Sequence, residues 1–194
     1  TRGLARAVHS MRTERQMSWL ELEGRTVVVT GGASGIGKAV AHGFARVGAS
    51  VLVADMNADA GEAAVTELTS EHGGKHAFAT ANVTEVASVN AMIDTALSLN
   101  GRLDILVNNA GINIPRLLVD PAGKEELTEE TWDAMISVNQ KGVFLCAQAA
   151  ARAMLKNDSS GEFGRGVIVN MASESGLEGS EGQSAYACTK AALY

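Results

Sequence analysis

Tyr186 and Lys190 stand four residues apart, a spacing that puts both on one face of a helix. A phenol is a weak proton donor at neutral pH, and a neighbouring ammonium favours its ionised form. Such a pair can move the proton of an alcohol. The spacing alone is commonplace on helix surfaces, so its meaning comes from the residues ahead of it. Thr30-Gly31-Gly32-Ala33-Ser34-Gly35-Ile36-Gly37 follows the apolar run Thr26-Val27-Val28-Val29 and opens a helix-like stretch, Lys38 to Val47. Glycines at such a turn let the backbone approach a phosphate, and the free N–H groups of the helix point at it. The loop suits the pyrophosphate of a dinucleotide. Asp55 lies just past a second apolar run, where a carboxylate accepts hydrogen bonds from ribose hydroxyls and repels a 2′-phosphate. No Arg or Lys occurs in Ala54-Asp55-Met56-Asn57, and Ser34 is uncharged, which favours NAD over NADP.

These residues need a scaffold, and the chain alternates in a way that supplies one. Strands are expected at 27–30, 51–54, 76–81, 105–107 and 167–169. Helices are expected at about 36–47, 58–72 and 85–100, then as one long helix over 129–156, with a last helix starting near Ser184. Alternating strands and helices imply a parallel sheet covered on both faces, an α/β doubly wound Rossmann fold. Segments 114–126 and 157–165 read as surface loops.

Composition narrows the function classes. The chain has 194 residues, 46% of them apolar, and a formal net charge of −6, which argues against a nucleic-acid surface. No apolar run is long enough to span a bilayer. Cys146 and Cys188 form no disulfide framework, which points to a reducing, cytoplasmic setting. Cys188 is read as a packing residue. Residues 1–22 are expected to be a flexible N-terminal extension, whose first stretch carries Arg2, Arg6, Arg12 and Arg15 against a single acid, Glu14. A remnant upstream of a start at Met17 is preferred over a targeting peptide. Residues 23–194 then form the dinucleotide-binding domain.

Taken together, the glycine loop, Asn108-Asn109-Ala110-Gly111, Asn139, Ser173 and Tyr186-Ala187-Cys188-Thr189-Lys190 resemble the short-chain dehydrogenase/reductase family, in its order and spacing, from about Glu23 onward. The resemblance implies a catalytic set of Asn139, Ser173, Tyr186 and Lys190. In it Tyr186 is the acid/base, Ser173 hydrogen-bonds the substrate oxygen, Lys190 holds the nicotinamide ribose and assists the tyrosine, and Asn139 positions a water in a proton relay. It implies NAD binding by Gly31, Ala33, Ser34, Gly35, Ile36, Gly37, Asp55, Asn82, Val83, Asn109, Ala110 and Gly111, with Tyr186 and Lys190. No metal enters this scheme. Asn82 departs from the family's more usual acid, and its amide is expected to reach the adenine instead.

Segments 108–121 and 167–194 resemble the branch of that family acting on polyols. This implies oxidation of sorbitol 6-phosphate to fructose 6-phosphate with NAD, with Arg116 or Lys141 as candidates for the substrate phosphate. Another short-chain alcohol or 3-oxoacyl reductase, or a non-catalytic dinucleotide-binding fragment, is the alternative. The family continues past the Tyr–Lys helix, so the chain is expected to be C-terminally incomplete, with its fifth strand left as an edge. A homodimer or homotetramer is expected for the complete protein.

Overall fold

Valines at 27, 28 and 29 cannot all face one layer of helices, so the strand they form is covered on both sides. The computed structural model describes residues 20–159 and 164–194 and shows this arrangement. Strands β1 (Thr26–Thr30), β2 (Ser50–Asp55), β3 (His76–Thr80), β4 (Ile105–Asn108) and β5 (Val167–Asn170) pair in parallel in the order β3-β2-β1-β4-β5. In register, Val28 lies opposite Leu52 and Leu106.

The helices are α1 (Gly35–Arg46), α2 (Ala58–His72), α3 (Val86–Asn100), α4 (Glu129–Ile136), α5 (Gly142–Met154) and α6 (Ser184–Ala191). One core layer joins Val27, Val29, Val51 and Val53 to Ala41 and Ala45 of α1 and to Ala64 and Leu68 of α2. The other joins Val28, Leu52 and Leu106 to Met92 of α3 and Cys146 and Ala150 of α5. Small alanines at these contacts let the helices lie close on the sheet. This is the doubly wound α/β sandwich expected from the alternation. The chain runs outward from β1 to β3 and then returns to the other side of β1 as β4. That reversal opens a crevice at the carboxyl ends of β1 and β4, where ligands of open α/β sheets bind.

Three features differ from expectation. The helix expected over 129–156 is interrupted: residues Ser137–Lys141 form a π turn between α4 and α5. The wide turn seats Asn139 against Ile112 and lets Gly142 press on Val83, where an added Cβ would lie 2.8 Å from Val83 Cγ2. Periodicity does not reveal it, because one inserted residue merely rotates the apolar face beyond it. A 3-10 turn at Glu174–Gly176 is also new. Apolar packing begins before residue 23, since Leu22 is buried and Leu20 packs on the same core layer. The rest of the N-terminal extension, with the arginines at 2, 6, 12 and 15, lies outside the described residues.

β5 is one of the two edges of the sheet, and its Ile168 and Val169 are 36% and 39% exposed. No helix among the described residues is long and apolar enough to cross a membrane.

Candidate active site

The glycine loop is shaped from beneath. Gly31 sits at φ 64°, and a Cβ there would come within 3.0 Å of Ala110 Cα and Asn109 Nδ2. A Cβ on Gly37 would collide with the Gly31 carbonyl. These two glycines let the loop fold tightly under α1. Gly35 is different: it has φ 51° and open space beyond its Cα. Ser34, Gly35 and Ile36 are exposed, and the Ser34 side chain does not cap the N-terminus of α1. The first N–H groups of α1 therefore face the crevice without a side-chain partner, as an anion site requires. The cradle fits a dinucleotide pyrophosphate on these grounds.

Asn109 ties this loop to β4. Its Nδ2 donates to the carbonyls of Thr30 at 3.0 Å and Gly31 at 3.2 Å. Thr30 Oγ1 in turn accepts from the N–H groups of Asn109 and Ala110, both at 3.0 Å. Asp55 braces the opposite side, accepting from Ala33 N at 3.2 Å and Asn57 N at 3.1 Å. Asn82 is committed to its own turn: its Nδ2 donates to Glu85 Oε1, and its Oδ1 accepts from Thr84 N and Oγ1. Val83 is buried against Gly142.

A second group of residues converges on Gly111. A Cβ built there would lie 3.3 Å from Asn139 Oδ1 and 3.7 Å from Lys190 Nζ. Lys190 is buried, and its Nζ donates to Met171 O at 2.6 Å just past β5. The same Nζ stands 5.8 Å from the centre of the Tyr186 ring. Burial pushes the Lys190 ammonium below the usual lysine pKa, because the charged form loses water. Tyr186 is half-buried.

Asn139 is fully buried and saturated with partners. Its Oδ1 accepts from Ile112 N at 2.8 Å, and its Nδ2 donates to Ile112 O at 2.8 Å and Thr189 Oγ1 at 3.1 Å. Thr189 Oγ1 donates to Tyr186 O at 2.7 Å. A relay of buried hydrogen bonds thus runs from the loop after β4, through the π turn, into the Tyr–Lys helix. Both amide hydrogens of Asn139 are engaged, so its side chain acts first as a pin.

Ser173 lies at the carboxyl end of β5 and caps the 3-10 turn, where its Oγ accepts from Ser175 N at 3.3 Å. Its hydroxyl proton remains available to an oxygen in the crevice. The turn packs closely on α6: a Cβ on Gly176 would lie 2.7 Å from Ala191 N. Tyr194 Oη donates to Ser173 O at 3.2 Å.

Arg116 is brought beside this region by its backbone N–H, which donates to Gly182 O at 2.8 Å, while its Nη1 donates to Pro115 O. Lys141 is exposed at the end of the π turn. Cys188, read from the sequence as a packing residue, is exposed, because its helical face points away from the core. Cys146 is buried, and burial pushes its thiol up to about 12.

Sequence reasoning included Thr30 and Thr189 in its motifs but gave them no role, and it missed the Met171 carbonyl. Thr189 lay in plain sight inside the Tyr–Lys segment, a hydroxyl one position before the lysine. Nothing local marks Met171, and the role of Thr30, like that of Met171, arises only when separate strand ends meet.

Residues 25–194 match the short chain dehydrogenase family. Among relatives, the chain is 45% identical over 179 residues to sorbitol-6-phosphate 2-dehydrogenase of Klebsiella pneumoniae, covering 91% of this chain and 62% of that protein. It is 40% identical over 169 residues to D-threitol dehydrogenase of Mycolicibacterium smegmatis, covering 87% and 60%. Among solved structures, a short chain dehydrogenase from Burkholderia cenocepacia in complex with NADP superposes with a TM-score of 0.77 at 34% identity, covering 89% of this chain and 65% of that one. The chain therefore spans about three fifths of the length of the two relatives.

Proposed function

The chain belongs to the short-chain dehydrogenase family, and from that membership we propose that it oxidises a polyol phosphate, sorbitol 6-phosphate, to the ketose fructose 6-phosphate with NAD. The observation carrying this reading is the convergence of Asn139 and Lys190 on Gly111, with Tyr186 beside Lys190. Lys190 alone would serve a dinucleotide binder, but a phenol set beside that ammonium serves proton transfer.

The binding residues would be Gly31, the 33–37 turn, Asp55, Val83 and Asn109–Gly111, with the Asn82 amide engaged in its own turn. A nicotinamide dinucleotide bound there supplies the acceptor for the hydride. Tyr186 Oη takes the proton of the substrate hydroxyl during oxidation and returns it during reduction. Ser173 Oγ donates to the same substrate oxygen and stabilises charge developing on it. Lys190 holds positive charge beside the phenol and a ribose hydroxyl. Asn139 and Thr189 fix the helix that carries both, so they are positioning residues. Arg116, next to Gly182, provides a guanidinium fork for the substrate phosphate.

NAD is preferred over NADP because the Asp55 carboxylate stands where a 2′-phosphate would bring like charge. Lys38, the cation nearest the loop in sequence, is engaged with Glu67 at 2.6 Å. The polyol class is supported by the two relatives, both named for polyol substrates. Exposed Trp132, Phe144 and Leu155 along α4 and α5 support self-association into a dimer or tetramer. Free Cys146 and Cys188 fit a reducing, cytoplasmic setting.

The test is absorbance of reduced nicotinamide with a substrate panel, run with NAD and with NADP. Sorbitol 6-phosphate with NAD is expected to give the highest kcat/KM. Equal turnover of unphosphorylated sorbitol, or a tenfold preference for NADP, would overturn the assignment.

A further inference from the structure

A cluster outside the crevice is unexplained by dinucleotide or polyol chemistry. His42 lies two turns into α1, and Glu71 and His72 end α2. His42 Nδ1 is 3.1 Å from His72 Nε2, Glu71 Oε2 is 3.4 Å from His42 Nδ1, and the same oxygen is 3.8 Å from His72 Nε2. The three atoms form a near-equilateral triangle. In tetrahedral zinc sites His nitrogens and carboxylate oxygens bind at about 2.0–2.2 Å, which sets neighbouring ligand atoms about 3.3–3.5 Å apart. A point about 2.0 Å from all three atoms exists here, since the triangle's circumscribed circle has roughly that radius.

A hydrogen bond between the rings does not account for the carboxylate. It uses one proton and one lone pair, whichever ring donates. Glu71 Oε2 then stands 3.4 Å and 3.8 Å from the two ring nitrogens with no proton to accept. Three lone pairs with one proton among them are what a cation satisfies.

The surroundings agree. The other nitrogen of His42, Nε2, faces Glu67 Oε2 at 3.9 Å, and Glu67 is gripped by Lys38 Nζ at 2.6 Å. At that distance Glu67 adds negative charge near the ring without hydrogen-bonding it. His72 is the last residue of α2, where the helix dipole favours positive charge. The nearby His76 is occupied: its Nδ1 accepts from Val51 N at 3.1 Å and its Nε2 meets Gly73 O at 2.7 Å. The His42 and His72 side chains are 23% and 17% exposed and Glu71 is 58% exposed, so an ion can enter and a water can take the fourth position.

We propose that His42, Glu71 and His72 bind a divalent transition ion of the zinc class that staples α1 to α2. Imidazole donors select zinc, cobalt or nickel over magnesium and calcium. The staple joins the helix leaving the glycine loop to the helix following Asp55, so it stabilises the frame of the cradle without touching it.

The test is a zinc titration against a chromogenic chelator, paired with thermal unfolding, on the whole chain and its variants. One zinc per chain is expected, with a raised Tm in zinc and none in equal magnesium. His42→Gln and His72→Gln should each weaken zinc about 100-fold or more, and Glu71→Gln about tenfold. Cobalt should give the visible absorption of a tetrahedral site, lost in the same variants. Glu71 is exposed, so its variant reads out even if a histidine variant folds poorly. Unaltered zinc affinity in Glu71→Gln and the histidine variants, or loss of binding in Cys188→Ser instead, would place the ion elsewhere and overturn the proposal. No binding at 100-fold excess zinc over protein would overturn it too.

Discussion

The floor of the crevice and its outer wall are built by opposite means. The floor, from β1, β2 and β4, is made of backbone: Gly31 and Gly37 work because they lack side chains, and the strands beneath them are almost wholly buried. The wall, from the π turn, β5, the 3-10 turn and α6, is held by side chains that reach across to other segments: Lys190 to the Met171 carbonyl, Asn139 to the Ile112 carbonyl and to Thr189. Its strand is an exposed edge of the sheet. The floor should therefore fail when atoms are added and the wall when atoms are removed.

Adding atoms to the floor should have the larger effect. Gly37→Val drives a branched side chain into the Gly31 carbonyl and Asn109 Nδ2. Overpacking of this kind costs about 2–3 kcal/mol. Chemical denaturation should show that loss, and reduced-nicotinamide fluorescence should show binding weakened at least tenfold. A variant that folds and binds normally would break the contrast at its strongest point. Next comes removal at the wall. Asn139→Ala leaves the N–H and carbonyl of Ile112 without their buried partner, a loss of roughly 2 kcal/mol. Denaturant midpoints should fall, while dinucleotide affinity changes less than in Gly37→Val. If affinity falls as far as in the glycine variant, floor and wall are not separable.

Asp55→Asn keeps an acceptor for Ala33 N but removes the charge. We expect the NAD/NADP selectivity ratio to shift roughly tenfold toward NADP, about 1.4 kcal/mol. Parallel kinetics with both dinucleotides check this; an unchanged ratio assigns the selectivity to other residues. The smallest effect concerns pH. Lys190 titrates below its unfolded value of 10.5 because it is buried. Between those two values the unfolded chain holds more protons than the folded one, so stability rises with pH across the window just under 10.5. Wild type should gain on Lys190→Met as pH climbs through that window, and flat or opposite slopes would show that burial does not govern the ammonium.

The same contrast explains what the sequence could tell. The floor was legible because its cause is local: a glycine pattern after an apolar run fixes a tight turn before a helix, whatever else the chain does. Helix 58–72 matched residue for residue, with Asn57 capping it. The wall was legible only as a list of residue types. The π turn at 137–141 was hidden, since one inserted residue rotates the apolar face beyond it without breaking the helical spacing on either side. Thr189 binding Asn139 was hidden because partners fifty residues apart leave no local trace. Asn82 shows the limit from the other side. Its amide suits an adenine by type, yet its hydrogen bonds go to Thr84 and Glu85.

In the proposed reaction Tyr186, held beside buried Lys190, moves the substrate proton while the glycine floor independently holds the dinucleotide. Tyr186→Phe removes one oxygen and leaves the floor intact. Measured in one preparation, hydride transfer from sorbitol 6-phosphate should drop by about 10²–10⁴, the contribution of a positioned acid/base, while NADH affinity changes less than threefold. Full activity in Tyr186→Phe, or loss of NADH binding in step with activity, would contradict the account.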